Sequence, residues 1–79
     1  MLGGESVSEE ADPTPVEILH TDGSLRAQGF MLDEQLHGYW EWFRLDGTIM
    51  RSGSFDHGER TGVWTTYDRA GAPHKETHF

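Results

Sequence analysis

Short runs rich in β-branched and aromatic residues, each bounded by a glycine-bearing turn, occupy residues 15–79 of this chain. No segment longer than eight residues carries a 3.6-residue apolar period, so helices are not expected. The runs predict six strands, at about 15–21, 24–32, 38–45, 48–55, 62–69 and 72–79. Asp22-Gly23 and Asp46-Gly47 each sit between two runs, the strongest short-range signal for a β-hairpin, and a type I′ turn is expected there. Ala70-Gly71 fits that turn less well, because Ala resists positive φ. The stretches Asp33–His37 and Asp56–Thr61 read as polar connections between hairpins.

The runs also repeat. Gly23, Gly47 and Gly71 fall 24 residues apart, as do Gly29 and Gly53, Gly38 and Gly62, Trp40 and Trp64, Phe43 and Tyr67, and Phe55 and Phe79. A fixed period of this size means one small supersecondary unit copied along the chain. The copies span about 14–37, 38–61 and 62–79; the first has Val16 where the others have Trp40 and Trp64. In the third, Thr77 replaces Gly29 and Gly53, and Pro73 replaces Leu25 and Ile49, which suits an edge strand. Gly29 and Gly53 lie inside strands, where Gly costs stability, so a bulge or room for a neighbouring ring is expected. Gly38 and Gly62 open the strands that carry the Trp residues, and those indoles are expected to pack over neighbouring glycines. Under strict alternation Trp42 shares a face with Trp40 while Phe43 takes the other. Either both faces are covered or a bulge resets the alternation.

The frame Gly-x-Trp-x-x-aromatic, then a turn Gly, then a strand closing on Phe, resembles the MORN-repeat variant. That family includes the YwqK-like bacterial proteins, commonly described as antitoxins of toxin–antitoxin systems. The resemblance covers about residues 15–79 and is best at GYWEWFRLDGTIMRSGSFDHGER, residues 38–60. It implies an all-β fold: an open, single-layer antiparallel sheet of consecutive hairpins, with no catalysis.

Residues 1–14 carry four acids, no Lys or Arg and few large apolar groups, and are expected to form a disordered acidic tail ahead of one domain at 15–79. The chain's net charge is −8; the ten acids beyond the tail against six Lys and Arg leave the domain near −4. Phosphate backbones and anionic lipids repel such a surface, so nucleic-acid and membrane partners are not expected. With no Cys there is neither a disulfide framework nor a thiolate zinc site. No apolar run of membrane-spanning length and no signal peptide is evident, and a cytoplasmic location is expected.

No catalytic constellation stands out. There is no strained Gly-x-Ser-x-Gly, and no Lys-Ser/Thr follows Gly58 and Gly62 to make a phosphate loop. The histidines at 20, 37, 57, 74 and 78 do not recur at one repeat position. His74 and His78, four apart on a strand, would lie about 13 Å from each other. They read as surface or loop histidines, with no metal and no cofactor. Asp33, Glu34, Asp56, Glu59 and Arg60 read as solvated loop charges. The candidate binding residues are Tyr39, Trp40, Trp42, Phe43, Trp64 and Tyr67, too many aromatics to hide easily in about 65 residues. They form either the protein's own core or an association surface. The structural turn or bulge positions are Gly23, Gly29, Gly38, Gly47, Gly53, Gly62 and Gly71. The expected function is non-enzymatic protein binding, of antitoxin type through the resemblance, toward a basic protein partner. A self-assembling homo-oligomeric repeat and a lipid-binding MORN module are the other readings.

Overall fold

A computed structural model describes residues 12–79; residues 1–11, most of the expected acidic tail, lie outside the described residues. Seven strands follow one another: β1 (Thr14–Leu19), β2 (Leu25–Leu32), β3 (Gln35–Leu36), β4 (Gly38–Phe43), β5 (Ile49–Asp56), β6 (Glu59–Tyr67) and β7 (Pro73–His78). All belong to one antiparallel sheet in the order β1-β2-β4-β5-β6-β7, with β3 pairing β2 beside β4. β3 and β4 thus act as one interrupted strand along β2, and otherwise each strand pairs with its neighbours in sequence. No helix occurs among the described residues. The sheet measures 53 × 32 × 14 Å, with a radius of gyration of 15.4 Å. A compact chain of this length would have about 12 Å, so the fold is drawn out along its strand order.

The turns correct the sequence expectation. At the three hairpin tips His20 N–H donates to Ser24 O, Arg44 N–H to Thr48 O, and Asp68 N–H to Ala72 O. Each loop therefore holds three residues, not two, and only its Gly has positive φ (92° at Gly23, 91° at Gly47, 86° at Gly71). This is the three-residue hairpin loop whose last residue is left-handed. The residue before the Gly needs no positive φ, so Ala70 fits where Asp22 and Asp46 stand. The two acids serve the loop in another way. Asp22 Oδ1 accepts from the N–H and hydroxyl of Ser24, and Asp46 Oδ1 from those of Thr48.

Type I′ geometry is found instead in the stretches expected to be polar connections. Asp33 and Glu34 have φ of 52° and 67°, between the paired Leu32 and Gln35. His57 and Gly58 have φ of 50° and 88°, between the paired Asp56 and Glu59. These are tight two-residue hairpins, 24 residues apart, so Glu59 and Arg60 belong to β6 rather than to a loop. The sheet is a continuous meander in which both kinds of turn recur.

Its core is a row of residues running across the strands. Val16 faces Gly29, Trp40 faces Gly53 and Trp64 faces Thr77. Each indole leans over the strand before its own: a Cβ on Gly29 would collide with the ring of Trp40, and one on Gly53 with the ring of Trp64. Glycine at these sites is therefore a requirement of ring packing. The indole N–H groups are satisfied in register, Trp40 Nε1 donating to Phe30 O and Trp64 Nε1 to Ser54 O. Trp40, Trp64 and Ala27 are the buried apolar side chains of the described residues. Register irregularities lie beside the row. Between Gln28↔Glu41 and Met31↔Leu36 the β3/β4 side carries two extra residues, with Gly38 at φ 85°. Between Ser52↔Thr65 and Ser54↔Thr61 the β6 side does the same, with Gly62 at φ 74°. A further irregularity between Trp42 and Phe43 breaks the strict alternation of that strand.

Candidate functional site

Alternation divides the sheet into two chemically distinct faces. The first carries the aromatic chain. Trp42 stacks on Trp40 at 5.9 Å and tilts against Trp64 at 5.4 Å. Phe55 sets its edge against both Trp42 and Trp64, at 6.2 and 5.0 Å, and Phe79 meets Trp64 at 6.2 Å. Offset and edge-to-face pairs of this kind contribute about 0.5–1.5 kcal/mol each beyond area burial. Cations close over the rings: the Arg51 guanidinium lies 5.0 Å from the Trp42 ring, and that of Arg60 4.6 Å from Phe79. This face is largely satisfied by its own side chains.

The second face carries an unbroken polar row. Glu17, Gln28, Glu41, Ser52, Thr65 and Glu76 are successive register partners across the six strands of the meander. Gln28 Nε2 donates to Glu41 Oε1 at 2.9 Å, and Tyr39 OH donates to Glu41 Oε2 at 3.1 Å. Partial burial, with the Glu41 carboxylate beside it, holds the Tyr39 phenol above its ordinary range, so the proton stays to make that bond. Farther along, Ser52 Oγ and Tyr67 OH pair at 2.9 Å. Toward the β1 edge the face hollows into an open groove of about 250 Å³. Glu17, Gln28, Glu41 and Tyr39 supply its polar wall, and Phe30 and Pro15 its apolar one. Two carboxylates and no cation line it.

The six aromatics singled out from sequence thus part company. Trp40, Trp42 and Trp64 share the first face, and the first and last are buried. Tyr39 is exposed beside the groove, and Tyr67 is bonded to Ser52 on that same side. Phe43 is half-buried at the end of β4, beyond the register shift. Sequence reasoning missed Glu17, Gln28, Glu41 and Phe30. The signal was present, because Glu17, Glu41 and Thr65 are 24 apart, and so are Gln28, Ser52 and Glu76. Their spacing marks two repeat positions that register then interleaves into one row. Also missed was the approach of His37, at the break between β3 and β4, to Asp56 and His57, at the turn after β5.

Among the described residues no helix is long and apolar enough to cross a membrane. Compared with known proteins, the chain matches no family model, no curated protein and no solved structure.

Proposed function

We propose that this chain is a non-enzymatic protein-binding module of the MORN-variant kind, antitoxin-like in that it covers a site on a basic partner. The observation that carries the reading is the groove on the polar face. Its two carboxylates, Glu17 and Glu41, stand beside apolar Phe30 and Pro15. An Arg or Lys side chain has matching chemistry: an apolar stem to lie on the ring and a cationic head for the acids. The chain's net charge of −8 would draw such a partner in and make association weaken with salt. Sequence alone leaves Tyr39, Trp40, Trp42, Phe43, Trp64 and Tyr67 as either core or association surface; under this reading the buried Trp40 and Trp64 are supports and the exposed Tyr39 is the aromatic at the contact.

The test is affinity capture from native lysate with the wild-type chain beside a Glu17→Gln, Glu41→Gln variant. Expected is a basic protein retained in near-equal amount by wild type, released by salt and lost with the variant. Equal retention by both chains would reject the groove, and retention of the chain alone would favour self-assembly. The open edges β1 and β7 give that second reading its one specific support.

A further inference from the structure

We infer that His37, Asp56 and His57 form a site for one divalent transition-metal ion of the zinc, copper or nickel class. One nitrogen from each imidazole and one carboxylate oxygen lie within 4.8 Å of one another. His57 Nδ1 is 2.7 Å from Asp56 Oδ1, and His37 Nδ1 is 4.0 Å from the same oxygen. Donors around a tetrahedral zinc ion at ordinary bond lengths stand about 3.4 Å apart. Small side-chain rotations therefore separate the present arrangement from a coordinated one. Two imidazoles and a carboxylate suit zinc, copper and nickel, and would leave a fourth position for water.

The backbone holds the donors in place. His37 sits at the break between β3 and β4, Asp56 ends β5, and His57 opens the turn joining β5 to β6. That turn is tied to the first segment by Gly58 N–H donating to Leu36 O at 2.8 Å. His57 N–H also donates to His37 Nδ1 at 3.1 Å, a bond that coordination through that nitrogen would replace. The imidazole rings already meet edge to face at 4.7 Å. Their side chains are solvent-accessible (24% for His37, 60% for His57), so an ion can enter without opening the sheet.

The cluster is also a departure from the repeat. One period away, His37 is replaced by Thr61, His57 by Asp33 and Asp56 by Leu32. Hairpin architecture alone does not require these donors, since the equivalent turn at Asp33-Glu34 forms without them. The cluster shares no residue with the groove, although His37 N–H donates to the carbonyl of the groove residue Phe30. Its test reads metal binding rather than partner capture, so the two readings can fail separately.

The experiment is a calorimetric titration of the untagged, metal-free 79-residue chain with zinc chloride, with magnesium chloride as control, and imidazole NMR signals followed in parallel. The expected result is one zinc ion per chain with micromolar affinity, no magnesium binding, and shifts confined to His37 and His57 among the five histidines. His37→Gln and His57→Asn should each weaken binding at least about tenfold, while His74→Gln leaves it unchanged. Asn tolerates the positive φ at residue 57, and circular dichroism checks that each variant folds; if one does not, the wild-type imidazole shifts decide. Absence of saturable binding overturns the proposal. So does binding that survives both substitutions, or shifts centred on His74 and His78.

Discussion

At the scale of single residues, the decisive choice is where a side chain is missing. Gly29 and Gly53 give the Trp40 and Trp64 rings their seats, and any Cβ there meets ring carbons rather than a flexible tip. Gly53→Ala should cost about 2–3 kcal/mol, the scale of an overpacked core, seen as a lower urea midpoint by tryptophan fluorescence. The opposite choice occurs at Glu34, a non-glycine residue at φ 67° where the equivalent turn has Gly58. Glu34→Gly should raise stability by about 0.5–1 kcal/mol by relieving left-handed strain, less the extra freedom gained by the unfolded chain. The tip acids predict a pH effect. Hydrogen bonds from the Ser24 hydroxyl and amide hold the Asp22 carboxyl below its ordinary value of 3.8, and those from Thr48 do the same for Asp46. A folded pKa below the unfolded one contributes stability above the unfolded value, lost as pH falls through the folded value. Ser24→Ala should therefore move the Asp22 titration midpoint upward toward 3.8, read from the carboxyl carbon shift, and weaken this acid-sensitive contribution.

At the scale of elements, each hairpin is fastened to the next by one side chain at its tip. Arg44 Nη2 donates to Tyr67 O at 2.7 Å, and its Nη1 reaches Asp68 O, Ile49 O and Thr48 Oγ1. One period earlier His20 Nε2 pairs with Phe43 O at 3.1 Å, the same bond made by a shorter side chain. Charged donors to carbonyls contribute about 1.5–3 kcal/mol, so Arg44→Ala should destabilise by about 2 kcal/mol in the same urea assay. Arg44→Lys should recover little, because an ammonium cannot reach both sides of the guanidinium fork. These elements show what was legible beforehand. The existence of six main strands, the glycines under Trp40 and Trp64 and the shared face of Trp40 and Trp42 followed from period and alternation. The turn types did not, because Asp-Gly satisfies both a two-residue and a three-residue loop, and only pairing with the next strand decides between them. Nor did β3, two residues long, whose pairing depends on the positive φ of Asp33 and Glu34; Asp tolerates that conformation, but nothing in Glu announces it. The groove stayed hidden because Glu17 and Gln28 become neighbours through register, not through proximity in sequence.

At the scale of the whole molecule, one open sheet leaves little interior, and its stability should be graded from centre to edge. Amide exchange should be slowest in β4, β5 and β6, where Ser52 and Gly53 are buried between paired strands on both sides, and fastest in β7, all six residues of which are exposed. Uniform protection from Thr14 to His78 would contradict that gradient. The nearest-neighbour pairing of strands also has a kinetic consequence. Every ladder but β2–β4 closes directly through a turn of two or three residues, and β2–β4 extends the β2–β3 hairpin, so no long loop must surrender its entropy before contacts compensate. The barrier that slows sandwiches and barrels, bringing distant strands together, is largely absent. Refolding after stopped-flow dilution from urea should then outrun that of β-sandwiches of similar size. Folding can begin at any hairpin and zip outward from it, as repeat arrays do.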